Sequence, residues 1–166
     1  MQTDIPDRYK KPVLVMGCGN ILFGDDGFGP EVIKYLDKNY EIPGYVELIN
    51  AGTSIRNILF DIVLAEKKPD KIIIIDAIDA GRKSGEIFEI EIEDIPENKI
   101  DDFSMHQLPT SNLLKELKEH CKVNIKIYSC QVENIPESVA TGLSKVLLDA
   151  VPKICDMIFE KIVKKK

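Results

Sequence analysis

Four consecutive isoleucines, Ile72 to Ile75, place the strongest constraint on how this chain can fold. A strand that is apolar at every position must be covered on both faces, as in a parallel sheet with helices on each side. Similar apolar runs begin at Val13, Tyr45 and Val123, and segments with helical spacing of apolar residues separate them. This alternation predicts an α/β fold, a three-layer α/β/α sandwich with a twisted and mostly parallel sheet of about five strands.

The segment from Gly85 to Glu93 has a different period. Phe88, Ile90 and Ile92 alternate with glutamates, and one charged face is typical of an edge strand. We therefore expect this strand at one edge of the sheet, antiparallel to its neighbour. Near the end of the chain, Pro152 should kink the last helix close to its first turns. Residues 1–166 are expected to form a single domain.

Composition limits the classes of partner. The chain has 166 residues, of which 44% are hydrophobic and 30% charged, and its formal net charge is −6. A negative chain is poorly suited to nucleic acid or to an anionic membrane surface. Because no apolar run approaches the roughly 20 residues that span a bilayer, we expect no membrane partner and a cytoplasmic location.

The cysteines do not indicate a metal or redox motif. All four are widely spaced, and no CxxC pair is present. Free cysteines usually behave as small buried hydrophobic residues, and we expect this role here. Cys18 differs from the others because it lies in a glycine-rich loop.

This glycine-rich loop follows the first predicted strand and carries two adjacent carboxylates. Gly17-Cys18-Gly19-Asn20 allows a tight turn, Asp25 and Asp26 follow, and Pro30 suits the first turn of a helix. In an open parallel sheet, ligands bind beyond the carboxyl ends of the strands, where the strand order reverses. Right-handed crossovers make the first and third strands neighbours at that point. Asp76, at the end of the third strand, should therefore lie near this loop, although it also suits a turn or a helix cap.

Carboxylates that lie close together repel each other, so one must hold a proton or a cation must lie between them. A divalent metal ion meets this requirement. His106 lies in a long polar segment from Asp94 to Pro109, after which Thr110 or Ser111 can cap a helix. From the residues alone, His106 is either an ordinary surface-loop residue or the nitrogen ligand of a mixed oxygen and nitrogen site. His120 is interpreted as a helix-end residue.

A nucleotide-dependent α/β enzyme is the main alternative that the loop suggests. Gly17-x-Gly19 begins a dinucleotide-binding fingerprint, but the third glycine is replaced by Leu22. The acidic residue expected at the end of the second strand is also missing, because that position is Asn50. Two carboxylates in the loop would, moreover, repel a pyrophosphate, so this alternative is disfavoured.

A set of motifs spread along the chain supplies a more specific hypothesis. They are GCGNILFGDDGFGP, Asn50-Ala51-Gly52-Thr53, Ile75-Asp76-Ala77, Met105-His106-Gln107-Leu108, Ile135-Pro136-Glu137-Ser138 and Gly142-Leu143-Ser144. In this order and combination, they resemble the hydrogenase maturation endopeptidases, and the resemblance covers nearly the whole chain. The segments GDDGFGP and NIPES are most similar to archaeal enzymes that serve the deazaflavin-reducing hydrogenase.

The resemblance implies a reaction and a set of site residues. Asp26, Asp76 and His106 would be both the metal-contacting and the catalytic residues; some family members carry glutamate at the first of these positions. The enzyme would remove a C-terminal extension from the precursor of the large subunit of a [NiFe] hydrogenase after nickel insertion. Nickel would then be carried by the substrate, and other divalent metals could occupy the same site.

A non-catalytic function remains compatible with the same residues. A maturation chaperone that binds nickel or the precursor would use the same ligands without cleavage. The chain has no HExxH helix to hold a permanent zinc, and neither Cys18 nor any serine has a clear base beside it. A peptidase of this kind is therefore expected to depend on nickel that the substrate brings.

Overall fold

The computed structural model describes residues 6–94 and 108–163. Its centre is a five-stranded sheet in the order β2-β1-β3-β5-β4. Neighbouring strands are parallel except for β4, which runs antiparallel to β5 at one edge. The mostly parallel sheet and its antiparallel edge strand are thus confirmed. The strands are β1 (Val13–Cys18), β2 (Val46–Gly52), β3 (Lys71–Ile78), β4 (Ile87–Ile90) and β5 (Asn124–Gln131).

Helices cover both faces of the sheet, which confirms the three-layer architecture. They are α1 (Phe28–Asn39), α2 (Ile55–Leu64), α3 (Leu108–Lys115) and α4 (Lys145–Val163). Apolar residues of α1 and α4 pack on one face, together with Ile73 and Ile75. Residues of α2 and α3 pack on the other, together with Ile72 and Ile74. The isoleucine run therefore feeds two separate cores, as its uniform apolarity predicts.

One helix prediction differs from the structure. The third helix begins at Leu108 rather than after a cap at Thr110 or Ser111, and Pro109 occupies its first turn. Proline is favourable there because the first N–H groups of a helix have no intrahelical acceptor to lose. The last helix, α4, contains Pro152 in its interior, and the kink expected there stays a prediction.

The strands also extend further than their apolar runs. β3 continues through Ile78 and β5 through Gln131, whereas β1 ends at Cys18. Asp76 is therefore not a turn former: it lies inside β3 and is in register with Ser129 of β5. Since the pairing of β1 with β3 ends at Ile75, β3 projects beyond its neighbour there. This step is the crevice in which the predicted site should lie.

The start of α1 lies directly against this step. A Cβ atom at Gly29 would lie 2.7 Å from the carbonyl oxygen of Ile75 and nearer still to the backbone of Cys18. Only glycine permits such an approach. The helix start, and the turn Gly24–Gly27 that precedes it, are consequently fixed over the ends of β1 and β3.

Asp25 joins two loops at the carboxyl edge of the sheet. These are the β1–α1 loop (residues 19–27) and the β5–α4 loop (residues 132–144). Asp25 Oδ2 accepts hydrogen bonds from the backbone N–H groups of Glu133 (2.9 Å) and Asn134 (3.1 Å). The N–H of Ser144 donates to Oδ1 (2.7 Å) and its hydroxyl to Oδ2 (3.0 Å). Backbone bonds of Ala140 with the first loop complete the contact.

These bonds make Asp25 a structural residue. We expect Asp25→Asn to lower the free energy of unfolding by at least about 2 kcal/mol, because three backbone N–H donors and a hydroxyl lose a buried carboxylate acceptor. The asparagine amide would also place hydrogen atoms against those donors. Urea denaturation of the variant and the parent protein measures the difference.

Asp37→Asn is the matched control, since Asp37 is exposed on α1. It should unfold within about 0.5 kcal/mol of the parent, as surface substitutions usually do. Equal stabilities of the Asp25 and Asp37 variants would contradict the structural role.

Candidate active site

The strand order reverses between β1 and β3, where the sequence places the site. β2 lies on one side of β1, and β3 lies on the other. Asp26 lies in the turn that follows β1, and Asp76 lies where β3 projects beyond β1. Because this turn contacts β3, both predicted carboxylates belong to the same edge of the sheet. The predicted neighbourhood of the first and third strands is confirmed.

The Asp26 carboxylate is held by the backbone of its own loop. Its side chain is almost fully buried, and its Oδ2 accepts a hydrogen bond from the N–H of Asn20 at 2.8 Å. Gly19 lies against the Asp26 backbone with a positive φ of 133°, a conformation that favours glycine. Its N–H donates to the carbonyl oxygen of Gly52 at the end of β2 (2.9 Å). The tight glycine turn therefore fixes the position of the Asp26 carboxylate.

Asp76 differs from Asp26 because it is only half-buried. Its Oδ1 accepts a hydrogen bond from the N–H of Ala77 at 2.8 Å. Side chains alternate along a strand, so Asp76 lies on the same face as Ile72 and Ile74, the face that α2 and α3 cover. Cys18 belongs to that same core cluster.

The third predicted ligand, His106, lies outside the described residues. The chain is described again from Leu108, where α3 begins. This helix packs on α2, and its Leu114 contributes to the core on the Asp76 face. Within residues 6–94 and 108–163, no three His, Cys, Asp or Glu side chains form a metal-binding group. His120 is exposed and lies 3.8 Å from Glu116, in agreement with a helix-end role.

The cysteine prediction is confirmed for Cys18, Cys130 and Cys155, which are buried, whereas Cys121 is partly exposed. Burial raises the pKa of Cys130 to about 12, and the nearby Asp25 carboxylate adds to the effect. Burial likewise raises the pKa of Cys155 to about 12, with a further contribution from Asp156. Both thiols are protonated at neutral pH, so neither supplies a thiolate nucleophile.

Sequence reasoning missed two polar residues at the end of β5, Ser129 and Gln131. Both are buried and lie on one face of the strand. The sequence did offer a signal for them. Polar residues at positions i and i+2, directly after an apolar run, lie on the same face of a strand.

Gln131 has a complete set of partners. Its side-chain oxygen accepts from the N–H groups of Ala80 (2.8 Å) and Arg82 (3.1 Å). Its amide nitrogen donates to Asp79 Oδ1 (3.0 Å) and to the Val132 carbonyl oxygen (3.1 Å). The bond from Gln131, with one from the Gly81 N–H, holds the pKa of Asp79 below its usual value. Gln131 thereby fixes the connection that leaves β3.

Exposed apolar side chains border the site. The apolar rim, as we call it, consists of Ile21 and Leu22 on the β1–α1 loop and Ile135 and Val139 on the β5–α4 loop. Val139 is the most exposed of these, at 64%. Since Asp25 holds the two loops together, the rim is one structural unit beside Asp26.

No helix among the described residues is both long and apolar enough to cross a membrane.

Comparisons with known proteins identify the family of this chain. The family model for hydrogenase maturation protease matches residues 30–161. A putative hydrogenase maturation protease of Methanocaldococcus jannaschii is 38% identical over 157 residues, which cover 93% of this chain and 99% of that protein. The coenzyme F420 hydrogenase subunit delta of Methanothermobacter thermautotrophicus is 36% identical over 158 residues, covering 93% of this chain and 96% of that protein.

A solved structure shares the fold as well. The hydrogenase maturating endopeptidase HybD from Escherichia coli superposes with a TM-score of 0.70 at 27% identity, covering 92% of each chain. The family match spans most of the chain and includes β3, α3 and β5. The chain therefore belongs to the hydrogenase maturation protease family and is a peptidase.

Proposed function

We propose that this peptidase removes the C-terminal extension from the nickel-loaded precursor of a [NiFe] hydrogenase large subunit. Asp26, Asp76 and His106 recognise the nickel that the precursor carries and thereby align the peptide bond to be cut. The observation that supports this most directly is the position of two carboxylates at one edge of the sheet, one in the turn after β1 and one where β3 projects beyond β1. Membership of the family supports this substrate class.

The donor set suits a divalent ion that already has other ligands. Carboxylate oxygens and an imidazole nitrogen are common ligands of divalent transition metals. Asp26 and Asp76 together supply two oxygens, and His106 would supply a nitrogen. Three protein ligands leave coordination positions open, as expected when the ion arrives bound to its own protein. With such a site, cleavage depends on nickel having been inserted into the precursor.

Hydrolysis requires addition of water to one carbonyl carbon and protonation of the departing amine. A nickel ion docked at the site is able to polarise a carbonyl oxygen or lower the pKa of a bound water. The contribution of this chain is to hold the ion and orient the bond. Asp26, fixed by Asn20 and the glycine turn, gives one rigid reference point for that orientation.

The apolar rim gives the precursor a surface to bind. Exposed apolar side chains concentrated beside a site are typical of protein-binding surfaces. Similarity to the F420 hydrogenase delta subunit supports a deazaflavin-reducing hydrogenase as the source of the substrate. We expect the segment flanking the cleavage site to contact this rim, in the cytoplasm, without nucleic acid or membrane.

Asp26→Asn, Asp76→Asn and His106→Ala should each reduce processing by at least about 100-fold, because even indirect partners of a metal contribute about 10–100-fold. The assay incubates each variant with nickel-loaded precursor and measures the shortened product by mass spectrometry. Each variant should remain folded in a thermal melt, because asparagine at position 26 keeps one oxygen that can accept from the N–H of Asn20.

Asp37→Asn and His120→Ala are the matched controls, because both side chains are exposed away from the site. They should process precursor at the parental rate. A site variant that retains near-parental processing would remove its residue from the proposed site. Tight precursor binding by the parent protein without any shortened product would instead favour the chaperone function.

Leu22→Asp and Val139→Asp should each raise the KM for precursor by about 10-fold or more, since burying such a side chain is worth about 1.5–3 kcal/mol. The value of kcat should change much less, because these residues do not contact the cation. Steady-state processing over a range of precursor concentrations separates the two parameters.

Leu64→Asp is the control for the apolar rim. Leu64 is also exposed (49%), but it ends α2 at the opposite edge of the sheet. Its KM should equal that of the parent protein. A similar rise in KM for all three variants would assign the effect to added negative charge rather than to the rim.

A further inference from the structure

Ser129 carries a buried hydroxyl that folding does not explain. Its side chain is fully buried, and its Oγ has no hydrogen-bond partner in the part of the chain that the structure describes. An unpaired buried group of this kind costs about 1–3 kcal/mol. β5 pairs with its neighbours through backbone groups, so alanine would serve the sheet equally well. The presence of this hydroxyl is explained if its hydrogen-bond partner becomes available in another conformation of the protein.

Most neighbours of Ser129 cannot be that partner. On β4 it is in register with Phe88, whose ring lies under the Arg82 guanidinium at 4.1 Å and offers no ordinary acceptor. Along β5, Ile127 is apolar. Gln131 already uses both amide hydrogens and both acceptor positions of its oxygen.

Among the described strand neighbours, Asp76 remains, and it is in register with Ser129 on β3. Adjacent strands lie about 4.8 Å apart, and residues in register on one face project side by side. Rotation of the two side chains then allows an O–H···O hydrogen bond of about 2.7 Å. In the structure, Asp76 Oδ1 instead accepts from the N–H of Ala77. A hydrogen bond to Ser129 therefore requires the Asp76 carboxylate to turn away from its own backbone.

We propose that Ser129 is a positioning residue for Asp76. Its hydroxyl donates a hydrogen bond to one carboxylate oxygen of Asp76 and leaves the other oxygen directed at a divalent cation. This inference rests on the proposed function, because it requires Asp76 to be a cation ligand. Hydrogen bonds from a second layer of residues commonly orient ligating carboxylates, and losing one weakens metal binding about 10–100-fold.

The test uses cobalt(II) alone as a spectroscopic probe of the purified full-length protein. Ser129→Ala should raise the Kd for cobalt by about 10-fold and change its d–d absorption spectrum, because the orientation of Asp76 is lost. Its melting temperature should equal or exceed that of the parent, since the removed hydroxyl has no partner among residues 6–94 and 108–163. Calorimetric titration and visible spectroscopy provide the two readouts.

Cys130→Ala is the matched control, because Cys130 is the next residue on β5, fully buried, and belongs to the core on the opposite face. It should leave the cobalt affinity and spectrum unchanged. An unchanged Kd and spectrum in Ser129→Ala would overturn the inference, as would a lower melting temperature as its sole effect.

Asp76→Asn separates the positioning role of Ser129 from the proposed cation site itself. If it weakens cobalt binding while Ser129→Ala does not, the positioning role fails and the proposed site survives. If Asp76→Asn also binds cobalt normally, the proposed site and the positioning role both fail.

Discussion

The contact between the first turn of α1 and the ends of β1 and β3 determines where this protein can form a site. Gly29 meets the backbones of Cys18 and Ile75, and Gly17 meets Gly29 from the strand side. A methyl group at Gly29 would gain about 1 kcal/mol in helix propensity. It would also force the backbones apart, and overpacking of this kind typically costs about 1–3 kcal/mol or more. The steric cost dominates, so glycine keeps the helix, and with it Asp26, over the step between the strands.

The two adjacent carboxylates in the turn before α1 have different roles. Asp25 and Asp26 are equally buried, at 1% exposure each. Asp25 accepts hydrogen bonds from the β5–α4 loop and joins it to the β1–α1 loop. Asp26 accepts from Asn20 within its own loop, so its position depends on the glycine turn. The structural carboxylate thus stabilises the surroundings in which its neighbour can bind a ligand.

The sequence predicted the sheet well because apolar runs determine which segments must be buried on both faces. It predicted the ends of β3 and β5 less well. Asp76, Ser129 and Gln131 read as the end of an apolar run, yet backbone pairing and side-chain hydrogen bonds keep them in strands. The sequence also placed the start of α3 too late, because Pro109 is favourable in the first turn of a helix.

The site was only partly predictable. Strand order follows from chain connectivity, so Asp26 and Asp76 could be assigned to one edge of the sheet before the structure was known. The separate role of Asp25 could not, because its partners lie more than 100 positions away along the chain. The Ser129 hydroxyl, for which the described part of the chain supplies no partner, likewise depends on register and burial, which no local pattern encodes. The role of His106 as the third ligand stays a prediction.

Anomalous diffraction from a crystal soaked in a zinc salt tests the central claim most directly, because zinc accepts the same oxygen and nitrogen ligands as a stand-in for nickel. We expect one strong peak at the carboxyl edge between β1 and β3. That peak should lie about 2.0–2.2 Å from an oxygen of Asp26, an oxygen of Asp76 and a nitrogen of His106. A zinc ion bound elsewhere, with neither Asp26 nor Asp76 among its ligands, would contradict the account.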